Sequence, residues 1–477
     1  MADFLNSLSE ALNSITTSVN DALYGYILII LLIVGGIYFT IRTKFVQFRL
    51  FFEQLRAVAE KPEGGKGVSS FQALMVSTAS RVGTGNIIGV STAICLGGFG
   101  SIFWMWIIAI IGSASAFVES TLAQIYKKRG EDGRSYGGPA YYIESGLKNR
   151  GLAVVFSVLL IITYGFGFNM LASYNLQSTF SGYEFYNPET TPWIIGAVLA
   201  VIVAFCLFGG GKRIISITSF LVPFMGVAYI LVALIIIILN VTALPDVFAR
   251  IFSDAFDFQA IFGGFSGSCV IFGIKRGLFS NEAGVGSAPN ASASADVNHP
   301  VKQGLVQVLS VFIDTLLVCS ATAFMCVCSG VEPSAELSGA PYVQAALTET
   351  LGGFGPVFIT LAMILFAFTT LIGNLYYVDQ CIYHLLGKKP GKKFRIVYYN
   401  IASLVILLGS GLSAGLLWNI ADITMGAMTL VNIPVIALLG KYVVRALKDY
   451  EKQRKKGETP VFYAKNIELP DEVDYWN

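Results

Sequence analysis

The sequence predicts an all-α membrane protein with eleven transmembrane helices, in which one peripheral helix precedes a five-plus-five inverted repeat with two broken helices. Three observations carry this prediction. Of the 477 residues, 55% are hydrophobic and 13% are charged, whereas soluble domains have roughly 25% charged residues. Eleven apolar runs approach the ~20 residues that a helix needs to cross a bilayer. Two of these runs are interrupted by glycines at matching positions.

The chain divides into four predicted parts. Residues 1–71 hold an amphipathic segment, the first transmembrane helix and a loop. The two five-helix repeats cover 72–258 and 259–447, and 448–477 form a polar tail. The predicted spans are 23–41, 72–97, 101–126, 151–177, 192–210, 215–241, 259–276, 303–329, 356–386, 395–411 and 419–445.

The segment before the first span has an apolar stripe. Leu5, Leu8, Leu12, Ile15 and Val19 recur at helical spacing, which predicts a short helix lying on the membrane surface. A disordered tail is the alternative. No positively charged start of a signal peptide is present before the first span.

Lysine and arginine set the predicted orientation, because cytoplasmic loops of membrane proteins carry an excess of both. With the N-terminus outside, every Lys and Arg except Arg81 and Arg250 falls in a segment predicted to lie inside, including Lys275 and Arg276 at the end of the seventh span. The prediction is a multi-pass cell-membrane protein with its C-terminal tail in the cytoplasm.

The two interrupted spans indicate function. The first contains "GTGN" at 83–86, and the second contains "GGFSGS" at 263–268. Lipid offers no hydrogen bonds to an unwound backbone, so such a break is tolerated only where it lines a cavity. A pair of breaks in inverted halves is typical of secondary transporters, which bind substrate and ion there. Close helix packing is the alternative role for these glycines.

Other functions find little support in the sequence. A net charge of +2 argues against nucleic-acid binding, and two histidines do not make a histidine-based metal site. The glycine-rich stretches match neither phosphate-binding nor nucleophile motifs, so the prediction is no enzyme, no catalytic residues and no cofactor. Asn and Thr near the first break suit a zwitterion and a sodium ion. Arg81 is expected to pair with a carboxylate, or else to contact the substrate.

Four stretches resemble the alanine or glycine:cation symporter family. They are "RVGTGNIIGV", "GGFGSIFWMWIIAIIGSASAFVESTLAQIY", "GGPAYYIE" and "GIKRGLFSNEAGVGSAPNASASA", and the resemblance covers nearly the whole chain. It implies a leucine-transporter-type fold and symport of small neutral amino acids with sodium as the coupling ion. The implied partners are the amino acid, sodium and the lipid bilayer.

The resemblance also implies site residues. Thr84, Gly85 and Asn86 would face the substrate. The break would add backbone carbonyls and a wall from Gly264, Phe265, Ser266, Gly267 and Ser268. The sodium ligands would be the carbonyls of Ala79, Val82 and Phe366 and the hydroxyls of Thr369 and Thr370.

One position departs from the family pattern. Family members commonly carry a glutamine in the fourth span where this chain has Ala172, which implies a larger pocket that contacts the substrate less. A sodium symporter of the same fold for a larger neutral amino acid such as glutamine, or for a nucleobase, is therefore the first alternative. An ion channel is the alternative from a different class.

Overall fold

The computed structural model describes residues 13–62, 67–130, 133, 135–264, 268–469 and 473–476. In chain order the helices before the second repeat are α1 Asn13–Arg42, α2 Val46–Arg49, α3 Phe51–Ala59, α4 Ser70–Arg81, α5 Gly85–Gly97, α6 Gly100–Ile125, α7 Pro139–Gly146, α8 Arg150–Ser178, α9 Thr191–Leu207, α10 Gly210–Leu239 and α11 Leu244–Ala255. They are followed by α12 Phe258–Gly263, α13 Cys269–Asn281, α14 Pro289–Ser292, α15 Val301–Val327, α16 Ala340–Leu351, α17 Phe354–Leu386, α18 Lys392–Ser410 and α19 Ala414–Lys455.

The fold is mostly helical and contains long apolar helices, as predicted. Within the described ranges, 7 helices are long and apolar enough to cross a membrane, namely α1, α6, α8, α10, α15, α17 and α19. Helices α5 and α9 are apolar but shorter. The described part of the chain also contains three short 3-10 helices, Val241–Ala243, Ala335–Leu337 and Ala464–Ile467, and a two-stranded antiparallel pair, β1 Lys128–Arg129 with β2 Ser135–Tyr136.

The prediction of a separate surface helix at the N-terminus is wrong for the residues that the structure describes. Residues from Asn13 onward form the first turns of the single helix α1, which runs on to Arg42. Asn20 is 1% exposed and donates to Asn419 Oδ1 at 2.8 Å, so this turn is packed against α19. Leu5, Leu8 and Leu12 lie outside the described residues.

The start of helix α4 follows from local sequence. The Ser69 side chain accepts from the Gln72 N–H at 3.1 Å, and the Gln72 side chain accepts from the Ser69 N–H at 3.0 Å. This reciprocal capping box satisfies two of the amide groups that a helix leaves unpaired at its start. Helix α4 is buried over nearly its whole length, so it begins inside the molecule and carries the first break at its other end.

The second broken span is placed differently from the prediction. The predicted span 259–276 is divided between α12 and α13, and α13 continues to Asn281. The chain then leaves the helix at Glu282, which has φ 53°, and passes Gly284 and Gly286, which have φ 85° and 90°. A second interruption, residues 282–288, therefore lies between α13 and α14.

Lys275 and Arg276 do not lie in an inner loop, contrary to the prediction. Both are within α13, and both ammonium and guanidinium groups reach Asp422 Oδ2 on α19 at 3.1 Å. Asp422 is fully buried and Arg276 is 4% exposed. A buried charge is costly unless it is paired, which explains how two basic residues are accommodated inside a helix of this apolar chain.

Candidate functional site

The first break lies between α4 and α5. Helix α4 ends at Arg81, Val82 adopts ψ 87°, and the chain resumes as a π-helical turn from Gly85 to Gly89. The Gly83 N–H would close the next turn on the carbonyl of Ala79, but it donates instead to Asn86 Oδ1 at 2.8 Å. Because a side chain replaces the backbone acceptor, the Ala79 carbonyl is released from the helical pattern. All of these residues are buried.

Polar side chains from three other helices meet the break. Asn175 on α8 donates to Thr84 Oγ1 at 3.0 Å. Asn86 donates to Asp314 Oδ1 on α15 at 2.7 Å, and Ser280 on α13 donates to Asp314 Oδ2 at 2.9 Å. The structure therefore brings Thr84 and Asn86 into one buried polar site, together with residues that sequence reasoning did not assign to it.

Ala172 is buried on the side of α8 that faces the break. Phe168, four residues earlier, stacks on Phe279 with ring centroids 4.6 Å apart, and the Phe279 ring lies against Gly85. Asn175, three residues later, bonds Thr84. Residues four and three apart share one helix face, so the methyl group of Ala172 lies on the face of α8 that bonds Thr84 and packs on Phe279.

The residues expected to bind sodium come together where α17 crosses α4. A Cβ added to Gly83 would overlap Thr370 Oγ1, so that hydroxyl lies directly against the break. A Cβ added to Gly373 would lie 3.3 Å from the Ala79 carbonyl carbon. Thr370 Oγ1 is buried and has no hydrogen-bond partner among the described residues. Ala79 and Thr370 are thus neighbours at the break.

Thr369 is in a different state from Thr370. Its hydroxyl donates to the Leu365 carbonyl at 2.9 Å and to the Phe366 carbonyl at 3.1 Å. This is the ordinary back-bonding of threonine in a helix. The Thr369 hydroxyl is thus satisfied as a donor and keeps lone pairs for an ion, whereas the Thr370 hydroxyl has no partner at all among the described residues.

The second unwound segment packs against the first. Glu282 accepts from Ser80 at 3.1 Å and from Ser287 at 2.6 Å. Ser80 also donates to Asn374 Oδ1 at 2.6 Å, and Asn374 donates to Asn169 Oδ1 at 3.0 Å. A continuous buried polar network therefore joins α4, residues 282–288, α17 and α8.

An aromatic and ionic stack covers one side of Gly85. Phe279 packs on Trp418 with centroids 4.8 Å apart, and the Arg276 guanidinium lies 3.9 Å from the Trp418 ring centroid. Arg276 in turn pairs with Asp422, whose backbone carbonyl accepts from Tyr24 at 3.1 Å. Four side chains therefore lie between the break and Tyr24 of α1, namely those of Phe279, Trp418, Arg276 and Asp422.

The second group of predicted substrate residues does not meet the first break in the described part of the chain. Gly264 is exposed and has no heavy atom within 4 Å of an added Cβ. Ser268 caps α13, its hydroxyl accepting from the Ile271 N–H at 3.4 Å. Phe265, Ser266 and Gly267 lie outside the described residues. The residues found against Gly85 are instead Phe279 and Ser280, at the far end of α13.

The structure also identifies residues that sequence reasoning did not place. Glu282, Asp314 and Asn175 bond residues of the first break or its helix, yet only Asp314 could be singled out, as a charge within a span. Arg81 was expected to pair with a carboxylate, but its nearest hydrogen-bonded partner is Gln307 Oε1 at 2.9 Å. The signal for the second interruption was "EAGVGS", in which Gly284 and Gly286 adopt positive φ.

The fold is similar to that of a solved amino-acid complex, the crystal structure of MhsT with L-phenylalanine. The TM-score is 0.58 at 16% identity, and the match covers 82% of this chain and 93% of that chain. Together with the paired helix interruptions, this likeness shows a fold of the leucine-transporter type. A family model described as the sodium:alanine symporter family matches residues 9–464, and the chain belongs to this family.

Relatives of known name match along their whole length. The chain is 46% identical to the amino-acid carrier protein AlsT of Bacillus subtilis, over 97% of each chain. It is 43% identical to the probable sodium/glutamine symporter GlnT of the same organism, over 98% of this chain and 97% of GlnT. It is 37% identical to the sodium/alanine symporter AgcS of Methanococcus maripaludis, over 93% of this chain and 98% of AgcS.

Proposed function

We propose that this protein is a sodium-coupled symporter that imports a small neutral amino acid, such as alanine or glycine, by alternating access. The observation that carries the proposal is the buried, unpartnered hydroxyl of Thr370 against the break at Gly83. A buried polar atom without a partner is costly. A sodium ion, which prefers oxygen ligands, would give this hydroxyl a partner.

The proposed sodium ligands are the carbonyls of Ala79, Val82 and Phe366 and the hydroxyls of Thr369 and Thr370. The bond from Gly83 to Asn86 Oδ1 frees the Ala79 carbonyl, and the end of α4 at Arg81 frees the carbonyls of its last turn. Thr369 would bind the ion through oxygen lone pairs while its hydrogen stays on the helix carbonyl. The family membership supports sodium as the coupling ion.

The proposed substrate site is the buried space around Thr84, Gly85 and Asn86. The N–H groups at the start of α5 attract a carboxylate, because helix N-termini carry partial positive charge. Carbonyl groups of the unwound backbone suit an ammonium group. We retain Gly264 to Ser268 as proposed wall residues, with Phe279 and Ser280 added because they lie against Gly85.

The proposal includes the membrane topology. Eleven spans, a five-plus-five repeat over 72–258 and 259–447, an outer N-terminus and a cytoplasmic tail at 448–477 remain our assignment. It is supported by the seven long apolar helices, by the shorter α5 and α9, and by the distribution of Lys and Arg outside α13.

Uptake of labelled alanine into liposomes containing the purified protein tests the function. We expect accumulation when a sodium gradient is imposed, none with an equal potassium gradient, and inhibition by excess glycine. Uptake that is independent of sodium would contradict the proposal. A sodium current that flows without any amino acid would favour the ion channel instead.

A larger substrate such as glutamine is the second candidate, because Ala172 places only a methyl group on the face of α8 that contacts the break. The relative GlnT is named as a probable sodium/glutamine symporter. If the side chain of a larger substrate occupies the space beside Ala172, glutamine will compete with alanine for uptake. Ala172→Gln will then restrict the transported substrates to alanine and glycine. If glutamine does not compete with the unmodified protein, the larger pocket is wrong.

A further inference from the structure

A polar cavity of about 650 Å³ lies at the end of the molecule where α17, α18 and α10 meet. Among the described residues, its lining carries five cationic side chains and one carboxylate, that of Asp379. The cationic side chains are those of Arg129, Lys212, Lys388, Lys389 and Arg395. A neutral amino acid has no need of this excess of positive charge, so the cavity is suited to an anion.

Three buried polar atoms of this lining have no hydrogen-bond partner among the described residues. They are Gln380 Oε1, Arg395 Nε and Tyr398 Oη, and Gln380 is only 8% exposed. Buried groups of this kind require partners. Two of them, Arg395 Nε and Tyr398 Oη, can donate to phosphate oxygens, and Gln380 Oε1 can accept from a hydroxyl group.

The backbone contributes to the same cavity. Helix α10 begins at Gly210, and Gly209, Gly210 and Gly211 line the cavity. The first N–H groups of a helix have no partner within it, and together with the helix dipole they favour a phosphate group. Two independent features, the side chains and this helix start, therefore point to the same ligand chemistry.

An apolar groove of about 300 Å³ adjoins the cavity. The two share Ile382 and Tyr398 in their linings. The rest of the groove is apolar and includes Val397 and Ile401, which are 61% and 46% exposed. Large apolar side chains exposed on this chain face lipid, so the groove offers a place for an acyl chain beside the basic cavity.

We propose that this cavity and groove together bind an anionic phospholipid. The phosphate is held by Arg395, Lys388 and Lys389 and by the start of α10, a headgroup hydroxyl donates to Gln380, and one acyl chain lies in the groove. A basic pocket between transmembrane helices next to an apolar groove has the chemistry of a lipid headgroup site. A free phosphate compound has the same headgroup chemistry but no use for the groove.

Helix α17 connects this site to the first break. It carries Gln380 in the cavity and Thr370 ten residues away against Gly83. The segment just before α4 also contacts the cavity, because Val68 is one of its lining residues. A bound lipid would therefore contact α17 and the segment that leads into α4, the two helices that form the proposed sodium site. We expect lipid binding to stimulate transport.

The test compares liposomes of phosphatidylcholine with liposomes of phosphatidylcholine mixed with phosphatidylglycerol. The triple variant Lys388→Gln, Lys389→Gln, Arg395→Gln is measured against Lys392→Gln, Lys393→Gln, which removes charges from the same segment that do not line the cavity. Sodium-driven uptake in phosphatidylcholine alone serves as the folding control for both. Retained phosphatidylglycerol is counted by native mass spectrometry, a readout that does not depend on transport.

We expect the triple variant to lose phosphatidylglycerol binding several-fold and to lose its stimulation, while the control variant keeps both. Val397→Trp, which fills the groove, should also lose lipid, in contrast to Leu404→Trp on the same helix outside the groove. Equal loss of phosphatidylglycerol binding in both charge variants would mean that anionic lipid is attracted only by the general positive charge of this segment, and it would overturn the proposal. Stimulation by inorganic phosphate in phosphatidylcholine liposomes would show a soluble-anion site and overturn the lipid assignment.

Discussion

At the scale of single residues, two adjacent threonines have unequal roles. Thr370 Oγ1 has no hydrogen-bond partner and lies against Gly83, whereas Thr369 Oγ1 already bonds the carbonyls of Leu365 and Phe366. A cation would bind lone pairs of either hydroxyl oxygen, but it would be the first partner of Thr370 Oγ1, whereas the Thr369 hydroxyl is already satisfied as a donor. The two hydroxyls are therefore expected to contribute unequally to sodium affinity.

Thr370→Ala should raise the sodium concentration for half-maximal uptake by about tenfold, since a lost ligand worth about 1.4 kcal/mol corresponds to that factor. Thr369→Ala should have a smaller effect, and Thr370→Ser should restore most of the affinity. Uptake measured against sodium concentration gives all three values. Equal effects of the two alanine variants would refute the unequal roles, and unchanged sodium dependence in both would place the ion elsewhere.

The glycines of the two predicted breaks provide a second comparison at this scale. Gly83→Ala should destabilise the protein and reduce sodium-dependent uptake, because the added methyl would overlap Thr370 Oγ1 and overpacking costs roughly 1–3 kcal/mol. Gly264→Ala should change the free energy of unfolding little, within about 0.5 kcal/mol, because no described heavy atom lies within 4 Å of the added methyl group.

Thermal unfolding and uptake of the two glycine variants, side by side, check this expectation. If Gly264→Ala lowers the unfolding midpoint more than Gly83→Ala does, the close contact between Gly83 and Thr370 does not limit stability. If neither variant differs from the unmodified protein, the contact between the first break and α17 is not important for transport.

At the scale of elements, the first break and the division of the predicted span 259–276 between α12 and α13 were predictable, and the interruption at 282–288 was not. "GTGN" interrupts an apolar run, and a glycine inside such a run is a strong local signal. In the second half, two glycine-rich stretches follow one another, at 263–268 and 284–288. The latter stands in the polar sequence "NEAGVGSAP", which resembles a loop because its buried partners, such as Ser80 and Asn432, are far away in the sequence.

The same dependence on partners far away in the sequence explains why the position of Lys275 and Arg276 was not predicted. Counting basic residues assigns them to a loop, and only the position of Asp422, 146 residues beyond Arg276, makes a buried location possible. Ala172 could be recognised from the sequence as a departure from the glutamine that is common in the family. Its placement between Phe168 and Asn175 opposite the first break required the packing of α8.

At the scale of the whole molecule, the C-terminal segment closes one end of the helix bundle. Trp476 Nε1 donates to the Gln124 carbonyl at 2.8 Å, and the Phe462 N–H donates to the Asn298 carbonyl at 2.9 Å. Lys127, two residues beyond α6, lies beneath this segment, 4.0 Å from the Tyr475 ring centroid, and donates to the Ala295 carbonyl at 3.0 Å.

Burial lowers the pKa of Lys127 from its usual 10.5 to about 7. The negative charge of Asp296 opposes this shift of the pKa, and the positive charge of Arg129 adds to it. The unfolded chain binds more protons than the folded one between these two values, so the free energy of unfolding rises with pH across that window. We expect the unfolding midpoint to increase from pH 7 toward pH 10, and Lys127→Met to flatten this slope.

Lys128→Met is the matched control for the Lys127 prediction, because Lys128 is half-buried and paired with Asp474 at 3.1 Å. It should lower the midpoint slightly at every pH without changing the slope. Thermal unfolding at a series of pH values distinguishes the two variants. An unchanged slope in Lys127→Met would mean that another group titrates in this window.

The contact of Trp476 with Gln124 also has a consequence for biosynthesis. The two residues are 352 positions apart in sequence. During translation the end of α6 and the loop after α14 therefore stay uncovered until almost all of the described chain has left the ribosome. Nascent protein should remain sensitive to proteases on this side of the membrane until residues 462–476 emerge, and chains shortened before residue 462 should be degraded even though helices α1 to α19 have been made.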